Sequence, residues 1–108
     1  MSYVNVKPGI CGLETDVFVE KMDRSNVKVT FDTKCPYIKK MEEDLTEVDG
    51  FTECFSKFAD SIVYESANKN CKHLACPVPS AIIKAIEVES GLALPRDVVF
   101  QVLKEKES

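Results

Sequence analysis

The chain is poor in several features that mark common protein classes. No apolar run approaches the roughly 20 residues needed to span a bilayer. The opening residues, Met1 to Lys7, carry no apolar signal-peptide core. Positive charge is not in excess: 14 lysines and arginines are interleaved with 18 acids, for a net charge of −4. That argues against nucleic acid and anionic membrane surfaces, both of which favour a basic patch. Walker loops, Gly-x-Gly-x-x-Gly, His-Glu-x-x-His and paired-carboxylate motifs are all missing. No catalytic centre is marked, and the balance of the sequence leans away from an enzyme. Histidine occurs once, at position 73.

What is present is thiol. Five cysteines cannot all pair, and a secreted disulfide scaffold usually carries an even number. The expectation is a cytoplasmic protein with reduced cysteines, where thiols are buried, metal-bound or reactive. At 108 residues with 44% apolar content, the chain suits one domain, residues 1–108, with its own core. A metal staple would help a domain of this size. Residues 104–108 read as a charged tail that frays.

The pattern predicts strands first and helices later. Val4 and Val6 alternate with polar residues in a first strand, broken by Pro8-Gly9-Ile10-Cys11-Gly12. Thr15, Val17 and Val19 alternate with Asp16, Phe18 and Glu20 in a second, running to about Met22. After the Asp23-Arg24-Ser25-Asn26 turn, Val27, Val29 and Phe31 mark a third. The period then changes: Ile38, Met41, Leu45 and Val48 fit a helix behind Pro36, with Cys35 as N-cap and Asp49-Gly50 at its end. Phe51, Cys54, Phe55 and Phe58 predict the face of a second helix. Asp60-Ser61 caps a third, to about Asn70. Val78, Ile82, Ala85 and Ile86 stripe a fourth, stopped at Gly91. Val98, Phe100 and Val102 alternate, as in a final strand returning to the sheet. The fold class is therefore α+β: an antiparallel three-stranded meander, then about four helices packed on one face, with an additional C-terminal strand.

Four of the five thiols fall at loops or helix starts. Cys11 lies between glycines, where the backbone can bend around an ion. Cys35 and Cys76 each precede a proline at a helix start, a setting that favours thiolate. Cys71 closes the helix before Cys76, and His73 lies between them. Thiolates bind zinc and iron–sulfur clusters, often four at a time. A metal site of Cys11, Cys35, Cys71 and Cys76, with His73 as alternative fourth ligand, is one reading. The other is that these are ordinary packed thiols, since free cysteine is among the most buried residue types. Cys54, flanked by phenylalanines at helical spacing, is assigned to the core. His73 also suits a solvated loop position, and Glu42-Glu43-Asp44 a solvated helix face.

These positions resemble the IscU/NifU-type iron–sulfur scaffold family. Cys11-Gly12 is similar to its first Cys-Gly, and Phe31-Asp32-Thr33-Lys34-Cys35 to its strand ending in a second cysteine. His73-Leu74-Ala75-Cys76, leading into Ala81-Ile82-Ile83-Lys84-Ala85-Ile86, resembles its last cysteine and following helix. Leu13 stands where that family carries Asp, and two residues separate His73 from Cys76. Cys71 to Pro77 also resembles the small TSCPD domain. Gly9-Ile10-Cys11-Gly12, taken with Cys71-Lys72-His73 and Cys76-Pro77-Val78-Pro79, looks like a short uncharacterised domain family of anaerobic prokaryotes. The scaffold resemblance implies Cys11, Cys35 and Cys76 as core ligands with Cys71 or His73 fourth, holding zinc or an iron–sulfur cluster.

Three functions follow from these readings. The first is a small metal-binding protein, scaffold- or carrier-like. The second is a non-catalytic interaction domain with buried reduced cysteines, acting through protein partners or as a homodimer. The third is a thiol redox protein.

Overall fold

A computed structural model describes residues 1–106 of the chain. Four antiparallel strands lie in the order β1 (Ser2–Val6), β2 (Thr15–Lys21), β3 (Asn26–Thr33) and β4 (Val48–Asp49). The helices are α1 (Pro36–Lys40), α2 (Gly50–Phe55), α3 (Ile62–Asn70) and α4 (Val78–Glu89). The α+β class and the β1–β2–β3 meander follow the two-residue alternation. Val17 and Val19 on β2, and Val27, Val29 and Phe31 on β3, are all buried on one face. The opposite face carries Tyr3 against Phe18, with ring centroids 5.3 Å apart.

Helix α4 covers this sheet and packs against β1 and β2. Val78, Ile82, Ala85 and Ile86 are buried, as their helical spacing requires. Its end is a Schellman stop. Gly91 takes φ +77°, the Gly91 N–H donates to the Val88 carbonyl at 3.1 Å, and the Leu92 N–H donates to the Glu87 carbonyl at 2.8 Å. The last helical residue, Glu89, ties this end to the strands. Its carboxylate accepts from Ser2 Oγ at 2.8 Å and from the Lys21 N–H at 2.9 Å. Burial pulls the Glu89 pKa up, but these donors and the N-terminal ammonium outweigh it and hold it below the ordinary value. Among the described residues, no helix is long and apolar enough to cross a membrane.

Three local expectations are corrected. The helix expected through Val48 stops at Lys40, tightens into a 3₁₀ turn at Met41–Asp44, and is followed by β4. Val48 is buried by pairing with Val27, and the Leu45 carbonyl accepts the Val29 N–H at 3.0 Å. Four apolar residues at helical spacing thus reach one core from a helix, a 3₁₀ turn, the residue that caps that turn, and a strand. Asp49 does not end a helix but starts one, its side chain accepting from the Thr52 N–H at 3.1 Å.

The predicted apolar face of α2 is turned over. Phe51, Phe55 and Phe58 are exposed, and Gly50 and Glu53 are buried. Glycine allows close approach to α4, and Glu53 serves the start of α3. The Glu53 carboxylate accepts from Ser61 Oγ, from the Ile62 N–H at 2.9 Å and from the Val63 N–H at 3.0 Å. Two of those donors are amides of the first turn of α3, which an α-helix leaves without internal partners. Ser61 is the N-cap and accepts from the Tyr64 N–H at 3.1 Å.

The expected final strand is not formed. Residues 93–106 have no strand or helix, and Val98, Phe100 and Val102 are exposed. Alternation of apolar residues makes a strand available, but a ladder needs a paired neighbour. Of the predicted fraying tail, residues 104–106 are exposed coil and bends, and residues 107–108 lie outside the described residues.

Candidate metal centre

One end of the sheet gathers the loops that carry the predicted thiols. β1 finishes at Val6 opposite Thr15, where β2 begins, and Thr15 is opposite Thr33 at the finish of β3. The hydroxyls of Thr15 and Thr33 are 2.8 Å apart and share a hydrogen bond. The loop holding Cys11 and the junction holding Cys35 therefore leave the sheet side by side. Helix α4 has its C-terminal end at Ser2 and Lys21, the opposite end of the strands. Its N-terminal end, with Cys76, accordingly lies toward the loops.

Each thiol is set by local chemistry. Cys11 sits at the third position of a tight turn closed by the Gly12 N–H donating to the Gly9 carbonyl at 3.0 Å. Gly9 and Gly12 take φ of +88° and +67°, conformations that side chains disfavour. Cys11 is exposed. Cys35 is the N-cap of α1, half-buried, and its N–H donates to Thr33 Oγ1 at 3.1 Å. Its sulfur makes no capping bond, so the side chain is not committed to its own helix. Cys71 is the C-cap of α3. Its Sγ lies 3.8 Å from Sδ of Met41, a fully buried core residue. Cys76 closes a turn with its N–H donating to the His73 carbonyl at 3.2 Å.

Two of the thiols, Cys71 and Cys76, are perturbed by their neighbours. Burial pushes the Cys71 thiol up to about 11, with Cys76 and then Cys35 adding to the effect. Burial likewise raises Cys76. The Val78 N–H at the start of α4 opposes this, and Cys35 and Cys11 reinforce it. Cys35 thus acts on both Cys71 and Cys76, and Cys11 on Cys76. They are not drawn into a coordination shell: among the described residues, no group of three or more His, Cys, Asp or Glu side chains is arranged to hold a metal ion.

The remaining candidates stand apart. His73 is exposed on the loop between Cys71 and Cys76. Cys54 has a different neighbourhood. Burial pushes it to about 11, with help from Glu87 and Glu53. It packs half-buried against the core, as expected, at a cleft of about 260 Å³ beside Phe58, Tyr64 and Lys84, while its flanking phenylalanines are exposed. Sequence reading missed Glu53, whose signal was an acid one short connection before the Ser61 cap. It placed Met41 on the apolar stripe but missed its contact with Cys71. Glu42-Glu43-Asp44 is only partly a solvated face. Asp44 accepts from Ser66 Oγ at 2.7 Å and from Lys69 Nζ at 3.0 Å, which hold its pKa below the usual range.

No curated protein and no solved structure matches the chain. The scaffold and TSCPD likenesses therefore remain resemblances of motif. A family model matches residues 2–102, which takes in all five cysteines, every helix and strand, and most of the exposed C-terminal segment. The chain belongs to DUF6951, a family of unknown function.

Proposed function

We propose that this is a metal-binding protein, scaffold- or carrier-like, whose ligands are Cys11, Cys35, Cys71 and Cys76, and whose cargo or cofactor is zinc or an iron–sulfur cluster. The observation that supports the reading is convergence from three separate connections at one end of the sheet: the β1–β2 loop with Cys11, the β3–α1 junction with Cys35, and the α3–α4 loop with Cys71 and Cys76, with Cys35 close enough to act on both of the last two. Cys54, the thiol assigned elsewhere by sequence, has no part in it. The donor set is all sulfur, which suits soft and borderline metals.

A tetrahedral zinc site, with zinc–sulfur bonds of about 2.3 Å, holds its sulfurs about 3.8 Å apart. Closing the four thiols to that spacing falls mainly to Cys11, which is exposed on a glycine-hinged turn. The other three are half-buried against the core. The raised pKa values of Cys71 and Cys76 favour neutral sulfur in the metal-free protein, so binding releases protons and strengthens with pH. They also weigh against Cys71 or Cys76 as a redox-active thiol, because a reactive thiol needs a lowered pKa. His73 is kept as the alternative to Cys71 for the fourth position.

Anaerobic titration of the reduced, metal-free protein with Co²⁺ tests the reading. Thiolate-to-cobalt charge transfer and tetrahedral ligand-field bands should saturate at one ion per chain. Cys35→Ser and Cys76→Ser should abolish them, and Cys54→Ser should leave them unchanged. Absence of the bands in the parent chain, or equal losses in all three variants, would overturn it. His73→Ala separates the two candidates for the fourth ligand.

A further inference from the structure

The C-terminal segment and the edge of the sheet are each left open, and they fit one another. Val98, Val99, Phe100 and Val102 are 58%, 81%, 72% and 90% exposed. Leu103 is exposed as well, so five of the six residues 98–103 are large apolar groups in water. The stretch holds neither proline nor glycine and is rich in β-branched residues. Among the described residues, no backbone hydrogen bond outside the regular elements reaches past Leu92. A contiguous apolar surface of this kind marks a contact rather than a free tail.

At the other side of the problem is β1. It is an edge strand, paired to β2 alone. Its outward backbone groups have no partner in any loop or turn among the described residues. Natural edges are blunted with lysine, proline, a bulge or a covering element. Ser2-Tyr3-Val4-Asn5-Val6 has no lysine or proline, and its pairing with β2 runs without a bulge. Lys7 and Pro8 come only after the strand ends. The edge is therefore built to be covered.

We propose that residues Val98–Val102 add as a strand to β1 of a second copy of this chain, and that the exchange is reciprocal. Both are five residues long. A second copy is the occupant because one chain supplies both halves of the contact. A single twofold operation then satisfies two tails and two edges at once. The family match begins at residue 2 and ends at residue 102, so β1 and the tail strand are both within the unit that family members share. The new strand would lie beside α4, which already covers β1, and would put alternate residues Val98, Phe100 and Val102 on one face.

The test is the solution mass of the full reduced chain at micromolar concentration, read by light scattering after gel filtration and paired with amide hydrogen exchange. The parent chain should give twice 12.1 kDa, and a Phe100→Asp/Val102→Lys variant 12.1 kDa. That variant should keep its circular dichroism, because the tail supports nothing in its own fold. Amides of Ser2–Val6 and Val98–Val102 should be protected in the parent and lose protection together in the variant. A parent monomer overturns the proposal, including one whose tail amides are protected, which would mean docking onto its own β1. So does a dimer that survives the double substitution.

Discussion

Gly50 at the start of α2 abuts Ser90 at the end of α4. A methyl group at Gly50 would collide with Ser90 Oγ and stand 3.4 Å from Ile86 Cγ2. That same Ser90 hydroxyl is buried with no hydrogen-bond partner. The close approach is thus made by glycine, against a polar atom that gains nothing from its position. Gly50→Ala should lower stability by on the order of 1–3 kcal/mol, the usual cost of overpacking. Ser90→Ala should be neutral or stabilising, because it removes a buried unpaired hydroxyl. Combining them should recover part of the Gly50→Ala loss, and denaturant unfolding of the three variants checks this. Additive effects would contradict the contact.

Glu53 is the second buried polar feature, and it is fully used. Three donors at the start of α3 converge on its carboxylate. Glu53→Ala leaves those donors without acceptors in a place water does not easily reach, and should cost about 2 kcal/mol. Amides at 61–64 should exchange faster before the rest of the protein opens. Glu53→Gln keeps one acceptor oxygen and should be milder. If alanine and glutamine behave alike, the carboxylate is not what holds α3.

Cys54 gives a stability effect with a definite sign. Its thiol is pushed from 9.0 to about 11, first by burial and then by Glu87 and Glu53. The folded state favours the neutral thiol, so this contribution is complete below about pH 9 and is lost as pH rises through about 11. The stability difference between the parent chain and Cys54→Ala should therefore shrink across that interval and stay constant below it. Urea unfolding of both proteins at stepped pH measures it. A difference that grows with pH would reverse the sign of the argument.

How far the sequence could be read depended on whether one backbone period had one use. The two-residue alternation of Thr15, Val17, Val19 and Val27, Val29, Phe31 gave the sheet directly, because one face is buried and the other is not. The α4 stripe and its Gly91 stop were equally legible. The stretch from Ile38 to Val48 was not, because burial at helical spacing was achieved by a helix, a 3₁₀ turn with its capping residue and a strand in succession. Phe55 and Phe58 misled for a related reason: α2 is too short to be positioned by its own apolar residues, so the glycine contact and Glu53 decide which face is inward. Val98 to Val102 carried a strand signal without a partner in its own chain. At the candidate site, placement of the four thiols at loop and helix ends was visible from proline and glycine. Their spacing in three dimensions was not, since it depends on which end of the sheet α4 starts from.

The most direct measurement of the central claim is the metal content and visible spectrum of protein purified without air. The account predicts bound metal: one zinc per chain if colourless, or iron with sulfide and a visible absorption if it carries a cluster. In the Cys35→Ser/Cys76→Ser variant the metal should be lost, together with the stabilisation that chelators remove from the parent chain. A colourless, metal-free parent chain with reduced thiols, unchanged in thermal stability by zinc or by a chelator, would contradict it.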